Sequence, residues 1–502
     1  MFTKKWRDHW GLTEDPYACE DADKDPILDA VDSSAVHSGF DRIFGNPKVP
    51  APGIVFGEKG SGKSGLRRMM RRRLDEHNEQ HPDDRVFFIE YIDFDGYLEQ
   101  FRRTSKGARN PRKAAAAVLE GWEITDHLDA ILSLGVTAMV DEALERGDRV
   151  KGLAPKQKSD MLLLTALYYR SPKRTTGEAV RGMRSAMRHG SARGGLLFIG
   201  CLLLTILGGL VGVAPHLEFW PTDLGSPTYW YIAGTSLAVA AWLAYAWSNF
   251  AVSRVAKHGV RGLRVLSRDS AALRSVLESL APRVRNEFGL PSGGDPATRY
   301  DILRRFLGLL EGRGYKGCYV VMDRIDEPSL LSGSDDRMRE FVRRILDIKL
   351  LQYPGIALKL FLPIEMESLY RTASPEALKR MRLDKSNLIA ELKWTGEELF
   401  EISDQRLLAC KLAGQEGASR VTTLTDFFEE DFDRHYLRET LSGLGTPRYA
   451  FGFLSSLVSE HVRELPNDLE DDDSRWRIPR ALFDVVRARW IDQSGLLRRS
   501  LN

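Results

Sequence analysis

Nine residues near the start of the chain, Gly57, Glu58, Lys59, Gly60, Ser61, Gly62, Lys63, Ser64 and Gly65, contain the spacing G-x-x-x-x-G-K-[ST] and so have the makings of a phosphate cradle. Gly57, Gly60 and Gly62 relieve the side-chain crowding that would keep backbone N–H groups from turning inward on an anion. Lys63 would pair with phosphate oxygens, and Ser64 would offer its hydroxyl to Mg2+. Residues 54–56 are apolar and 66–74 continue with helical spacing, so the loop is expected at a strand-to-helix junction, where a helix N-terminus adds partial positive charge. The expected chemistry is binding of a nucleoside triphosphate, ATP or GTP, with Mg2+.

Such a loop needs an acid at the end of another buried strand. The stretch GCYVVMDRIDE supplies one. Its apolar run ends on Asp323, expected to hold Mg2+ through water, with Asp326 or Glu327 placed to orient the attacking water. Arg324 stands directly after Asp323, where such sites usually carry a second acid, and this leaves the choice between Asp326 and Glu327 open. An arginine that meets the γ-phosphate would complete the catalytic set begun by Lys63. Arg448, in the turn GLGTPRYAFGFL at the start of a helix, is the first candidate; Arg380 and Arg382, ahead of a strand-like segment, are the others. The plain alternative for each is a surface or capping arginine. His77 and His81 lie four apart, but Pro82 ends the helix and no third ligand is in view, so no metal is expected there. The run LRRMMRRRLDEH reads as a solvated helix face near an acidic lipid surface rather than as a nucleic-acid contact.

Positioning these groups requires a sheet. Apolar runs at 86–91, 318–322 and 355–363 alternate with helical patterns, which argues a parallel sheet with crossover helices, an α/β fold. No polar sensor after the 355–363 strand stands out. A chain of 502 residues is expected to form two to four units. Lys plus Arg total 72 against 70 acids, a net charge of +2, which excludes a globally basic nucleic-acid coat. The four cysteines are scattered without metal-ligand spacing and read as reduced thiols. The first residues are basic but lack an apolar stretch after them, so they do not read as a secretory signal, and the bulk of the chain is expected in the cytoplasm.

Two runs without a charged side chain, 194–214 and 228–252, are separated by a proline-containing link at 215–227. Each has the length to cross about 30 Å of hydrocarbon. Arginines and lysines flank the pair on the outside, so a transmembrane hairpin is expected, with both soluble parts facing the cytoplasm from the plasma membrane. The small residues of GGLVG and AGTSLA would let its helices approach closely or pair with another copy. A buried helical hairpin of a large soluble domain is the alternative.

With the phosphate loop at 57–64, the hairpin ahead of the acidic strand end at 323–327, and the G-x-P-R turn in a helical C-terminal part, the chain resembles the KAP family of P-loop NTPases, relatives of the AAA+ and STAND ATPases. The resemblance covers residues 35–460 and lies in the order of elements more than in long identity; Arg324 departs from the family pattern. The opening HWGLTEDPY also resembles the FGL-x-x-x-PF start of secretion-associated AAA ATPases, which supports only an ATPase beginning near residue 10. The resemblance implies a parallel-sheet ATPase core with an inserted hairpin and a helical lid. Its parts would be an N-terminal segment 1–34, first core half 35–104, helical insertion 105–193, hairpin 194–252, helical return 253–310, second core half 311–395, lid 396–466, and an acidic linker with a last helix 467–502. It implies ATP hydrolysis driving assembly or signalling of a membrane complex, with lipid, further copies of the chain and other proteins as partners, and a role in antiviral defence. The alternative is a nucleotide-dependent, membrane-tethered scaffold or switch with negligible turnover.

Overall fold

The structure, a computed structural model, describes residues 4–500 apart from 20, 32–36, 105–118, 147–151, 189–191, 214–226, 292, 373, 381–386, 412–420, 467–468 and 471–472. The link between the two charge-free runs, the alanine-rich stretch at 114–117 and Arg382 therefore lie outside the described residues. The chain divides into two compact units: one from Met1–Ile92, Lys316–Arg339 and Leu346–Asn502, the other from Asp93–Tyr315 and Glu340–Ile345.

The first unit is α/β. Its five strands are β1 (Gly53–Gly57), β2 (Arg85–Tyr91), β3 (Tyr315–Met322), β4 (Ile356–Pro363) and β5 (Leu388–Ile389), in the order β2-β3-β4-β1-β5. β1 pairs in parallel with β4 and β5, and β3 with β4, in a register that sets Val55 opposite Phe361 and Cys318 opposite Ile356. All five residues of β1 and all eight of β4 are buried, as expected of parallel strands covered on both faces. Residues that leave β1 and β3 therefore emerge at one edge of the sheet, the carboxyl edge, where open parallel sheets bind ligands.

The flanking core joins distant parts of the sequence. Trp6 and Trp10, on the helix Lys4–Trp10, pack against Phe427, and Trp6 also meets Trp476 and His461. Asp473 caps the turn Ser474–Trp476, Trp476 is buried, and Ile478 bridges to Phe428. The acidic stretch thus ends in an anchored turn.

The second unit is helical. The helix Pro155–Tyr168 is buried from Ser159 onward on every side. A buried pair, Asp129 with Arg299 at 3.2 Å, is completed by the Tyr168 hydroxyl, which donates to Asp129 at 2.9 Å. His127 is fully enclosed, and burial holds its imidazole down at about 3, hence neutral.

The helices Ala192–Val213 and Pro227–Arg261 form a hairpin within this unit. Gly208 and Gly234 face each other so closely that a Cβ on either would strike the other's backbone, which is the use the small residues serve. Trp242 Nε1 donates to Thr205 Oγ1 at 2.9 Å, and Leu203, Leu210, Leu243 and Trp247 remain exposed. Among the described residues no helix is long and apolar enough to cross a membrane. This overturns the expected multi-pass location in the plasma membrane and the orientation drawn from it. For the second run the physical reason is that a stretch without charge is not the same as an apolar one. This run contains Gly234, Thr235, Ser236, Ser248 and Asn249, and its helix continues into Arg254, Lys257 and Arg261.

Candidate functional site

The loop after β1 turns through two left-handed glycines, Gly60 at φ +88° and Gly62 at φ +93°, and Gly62 caps the helix Lys63–Gln80. Both positions lack room as well: a Cβ on Gly60 would lie 2.9 Å from Arg448 Cβ and Cδ, and one on Gly62 would lie 3.3 Å from the Trp394 ring. The loop is pinned from β5's side, where Trp394 Nε1 donates to the Ser61 carbonyl at 2.7 Å. Lys63 folds back over it, its Nζ donating to the carbonyls of Gly57 (2.6 Å) and Glu58 (2.9 Å). Burial lowers the Lys63 pKa; Asp323, Asp326 and Glu365 pull the other way without overcoming it.

At the end of β3, Asp323 is 2% exposed and accepts from the Ser64 hydroxyl at 2.8 Å and from its neighbour's backbone, Arg324 N, at 2.9 Å. The predicted partners of the phosphate loop and the acidic strand end, separated by 259 residues, thus meet directly. Their hard oxygens, one hydroxyl and one carboxylate, suit Mg2+, which takes few protein ligands and completes its shell from phosphate and water. No cluster of three or more His, Cys, Asp or Glu side chains that could hold a metal on its own occurs among the described residues. His77 and His81 stack on each other, and His77 Nε2 lies 3.1 Å from the Asp84 carbonyl.

Arg324 adopts φ +62°, a left-handed conformation uncommon for a side chain of this size. It turns toward the N-terminal segment, pairing with Asp23 at 2.5 Å and Asp21 at 3.2 Å, and also reaches Glu327 at 3.5 Å. A backbone hydrogen bond from Asp23, with Arg324 helping, holds the Asp21 carboxyl below its ordinary value. Burial raises Glu327, with Asp326, Asp323 and Asp21 adding to the rise against Arg324.

A cavity of about 720 Å3 connects these groups, within the range of about 300–1,000 Å3 usual for ligand sites. Lys63, Ser64, Asp323, Asp326, Glu327 and Arg448 all line it. Arg448 sits just inside the helix Pro447–Glu464, whose cap is Thr446, and its backbone N–H donates to the Gly60 carbonyl at 3.4 Å. Two helix N-termini, those of Lys63–Gln80 and Pro447–Glu464, therefore converge on one cavity within one chain, and each favours an anion there. Arg380 ends a short helix, Pro375–Arg380.

Several residues of this site carry no signal in the sequence. The segment 16–29 forms a wall of the cavity through Tyr17, Cys19, Asp21, Asp25 and Leu28. The arginine run holds it in place. Arg67 pairs with Asp23, Arg68 with Asp29 at 2.5 Å and the Asp25 carbonyl at 2.9 Å, and Arg72 with the Asp29 carbonyl at 3.0 Å. Arg71 meets Glu90 and Arg73 meets Asp41. The face read as solvated is thus largely occupied by the protein's own acceptors. From the helix Gly396–Ala409, buried Arg406 reaches the same segment, donating to the Pro16 carbonyl at 2.8 Å and pairing with Asp25 at 2.5 Å.

No family model matches this chain, and no curated protein and no solved structure matches it either.

Proposed function

We propose that this chain is a P-loop NTPase that binds ATP, with GTP as the alternative, and hydrolyses it to drive assembly or signalling of a protein complex. The observation that carries the reading is the contact of Ser64 Oγ with Asp323 beneath Lys63, in a cavity large enough for a nucleotide. Ser64 and Asp323 would hold Mg2+, which offsets charge on the phosphate oxygens. The loop's N–H groups and Lys63 bind the β- and γ-phosphates, and Arg448, supplied by the same chain, faces the charge that develops on the γ-phosphoryl group. Water attacks the γ-phosphorus, the bond to the β–γ bridging oxygen breaks, and a carboxylate takes the proton from the water, giving the nucleoside diphosphate and inorganic phosphate. Asp326 is the better placed carboxylate, because it lines the cavity near Lys63 while Glu327 is engaged by Arg324. The order of phosphate loop, helical insertion, acidic strand and lid supports the likeness to KAP NTPases, now without its membrane spans. A part in defence signalling would follow from that likeness alone.

Phosphate release with Mg2+ and ATP tests this. Lys63→Ala is expected to abolish turnover and Asp326→Asn to lower it at least about 100-fold, with Glu327→Gln retaining most of it. Equal release by wild type and Lys63→Ala would refute hydrolysis at this site. The second reading, a nucleotide-operated switch with negligible turnover, is favoured by the Arg324–Glu327 pair; ATP binding without phosphate release would select it.

A further inference from the structure

Arg67 is three residues after Ser64 on the same helix, so both side chains rise on one face. Its Nε donates to Asp323 Oδ2 at 3.3 Å, the same oxygen that Ser64 Oγ uses. Its other nitrogens pair with Glu90 Oε1 at 2.7 Å and with Asp23. The guanidinium is 2% exposed, and although burial alone would lower its pKa, the three carboxylates raise it, so the charge is permanent. Both oxygens of Asp323 are therefore taken by donors of the chain itself: Oδ2 by Ser64 and Arg67, Oδ1 by Arg324 N.

We propose that Arg67 is a resident counter-cation of the phosphate site, a positioning residue that fixes Asp323 and supplies beside it the positive charge that a divalent ion would otherwise have to bring. This rests on the nucleotide-binding reading above. A triphosphate carries about four negative charges, and Asp323, Asp23 and Glu90 would repel it were they not offset; Arg324 also pairs with Asp23 and Arg71 with Glu90, which leaves Arg67 as the cation that answers Asp323. With Arg67 in place, nucleotide binds with little dependence on Mg2+, and a divalent ion alone finds Asp323 already engaged. Mg2+ is then needed for turnover more than for occupancy.

The test measures the affinity of the full chain for a fluorescent ATP analogue in Mg2+ and in EDTA. For the wild type the two values are expected to agree within about threefold. Arg67→Gln is expected to lose at least about tenfold in EDTA and to recover most of it in Mg2+, while Arg67→Lys, which keeps the charge, follows the wild type. In parallel, Mn2+ titrated into nucleotide-free wild type by electron paramagnetic resonance is expected to bind no tighter than about 1 mM. The wild-type measurements stand however the glutamine variant folds. A wild-type affinity that falls about 100-fold in EDTA, equal Mg2+ dependence in wild type and Arg67→Gln, or micromolar Mn2+ binding to the free protein would each overturn the counter-cation while leaving nucleotide binding intact. Absence of binding in both buffers would instead overturn the nucleotide reading, and this inference with it.

Discussion

Lys359 is a cation in the middle of the sheet. It lies on β4, where every neighbour in sequence is apolar, and its Nζ donates to the carbonyls of Ile43 (2.6 Å) and Phe44 (3.1 Å) while facing the Tyr319 ring at 4.7 Å. It thereby closes the end of the short helix Phe40–Phe44, but burial still pushes its pKa down from 10.5 to about 7. Between those values the unfolded chain binds a proton that the folded one has released, so stability rises with pH across that window, and the full penalty of the buried charge applies below pH 7. Denaturant titrations from pH 6 to 10 should show this upward slope in wild type and its loss in Lys359→Met. A slope that survives the substitution would assign it to other groups. Nothing in the alternation of the sequence marks Lys359 as special, because its role depends on carbonyls more than 300 positions away.

The loop after β1 and the helix Pro447–Glu464 test each other through Gly60. Its substitution to valine would meet both a left-handed backbone and Arg448, forcing the helix Pro447–Glu464 away from the phosphate loop. Nucleotide affinity is expected to fall at least about tenfold, with overall folding retained; unchanged affinity would detach Arg448 from the site. The turn around Trp476 offers a stability counterpart. Trp476→Ala removes the ring on which His9 stacks and which Trp6 meets, at an expected cost of about 3–5 kcal/mol, read as a lowered denaturation midpoint. These elements were unequally legible. The buried strands β1, β3 and β4 stand out as apolar runs, and the phosphate loop as a motif with its own spacing. The wall at 16–29 was not readable, since it has neither helical nor strand periodicity and contributes carboxylates whose value depends on distant arginines. Arg67 was hidden in a run of five arginines whose partners only the fold reveals. The second charge-free helix misled for a different reason, since its polar, small and aromatic residues lower apolarity without adding charge.

At the scale of the molecule, the first unit is assembled from three separate stretches of chain. On the proposed reading, nucleotide in its cavity would stabilise that unit by mass action, by about 2.7 kcal/mol at a ligand concentration 100 times the dissociation constant. Amide exchange should then slow in the helices Lys63–Gln80, Gly396–Ala409 and Pro447–Glu464, which border the cavity. Exchange that stays unchanged there while ATP saturates the protein would place the ligand elsewhere.

The distance in sequence between Ser64 and Asp323 also has a meaning in time. At a synthesis rate of about 5–20 residues per second, the 259 positions between them take roughly 13 to 52 seconds to emerge. For that interval a nascent chain carries its phosphate loop without β3, β4 or the acid that completes it, and β1 lacks both of its neighbours. On the proposed reading the site stays incomplete until β3 and its acid have emerged, and an apolar strand must be kept from straying in the meantime.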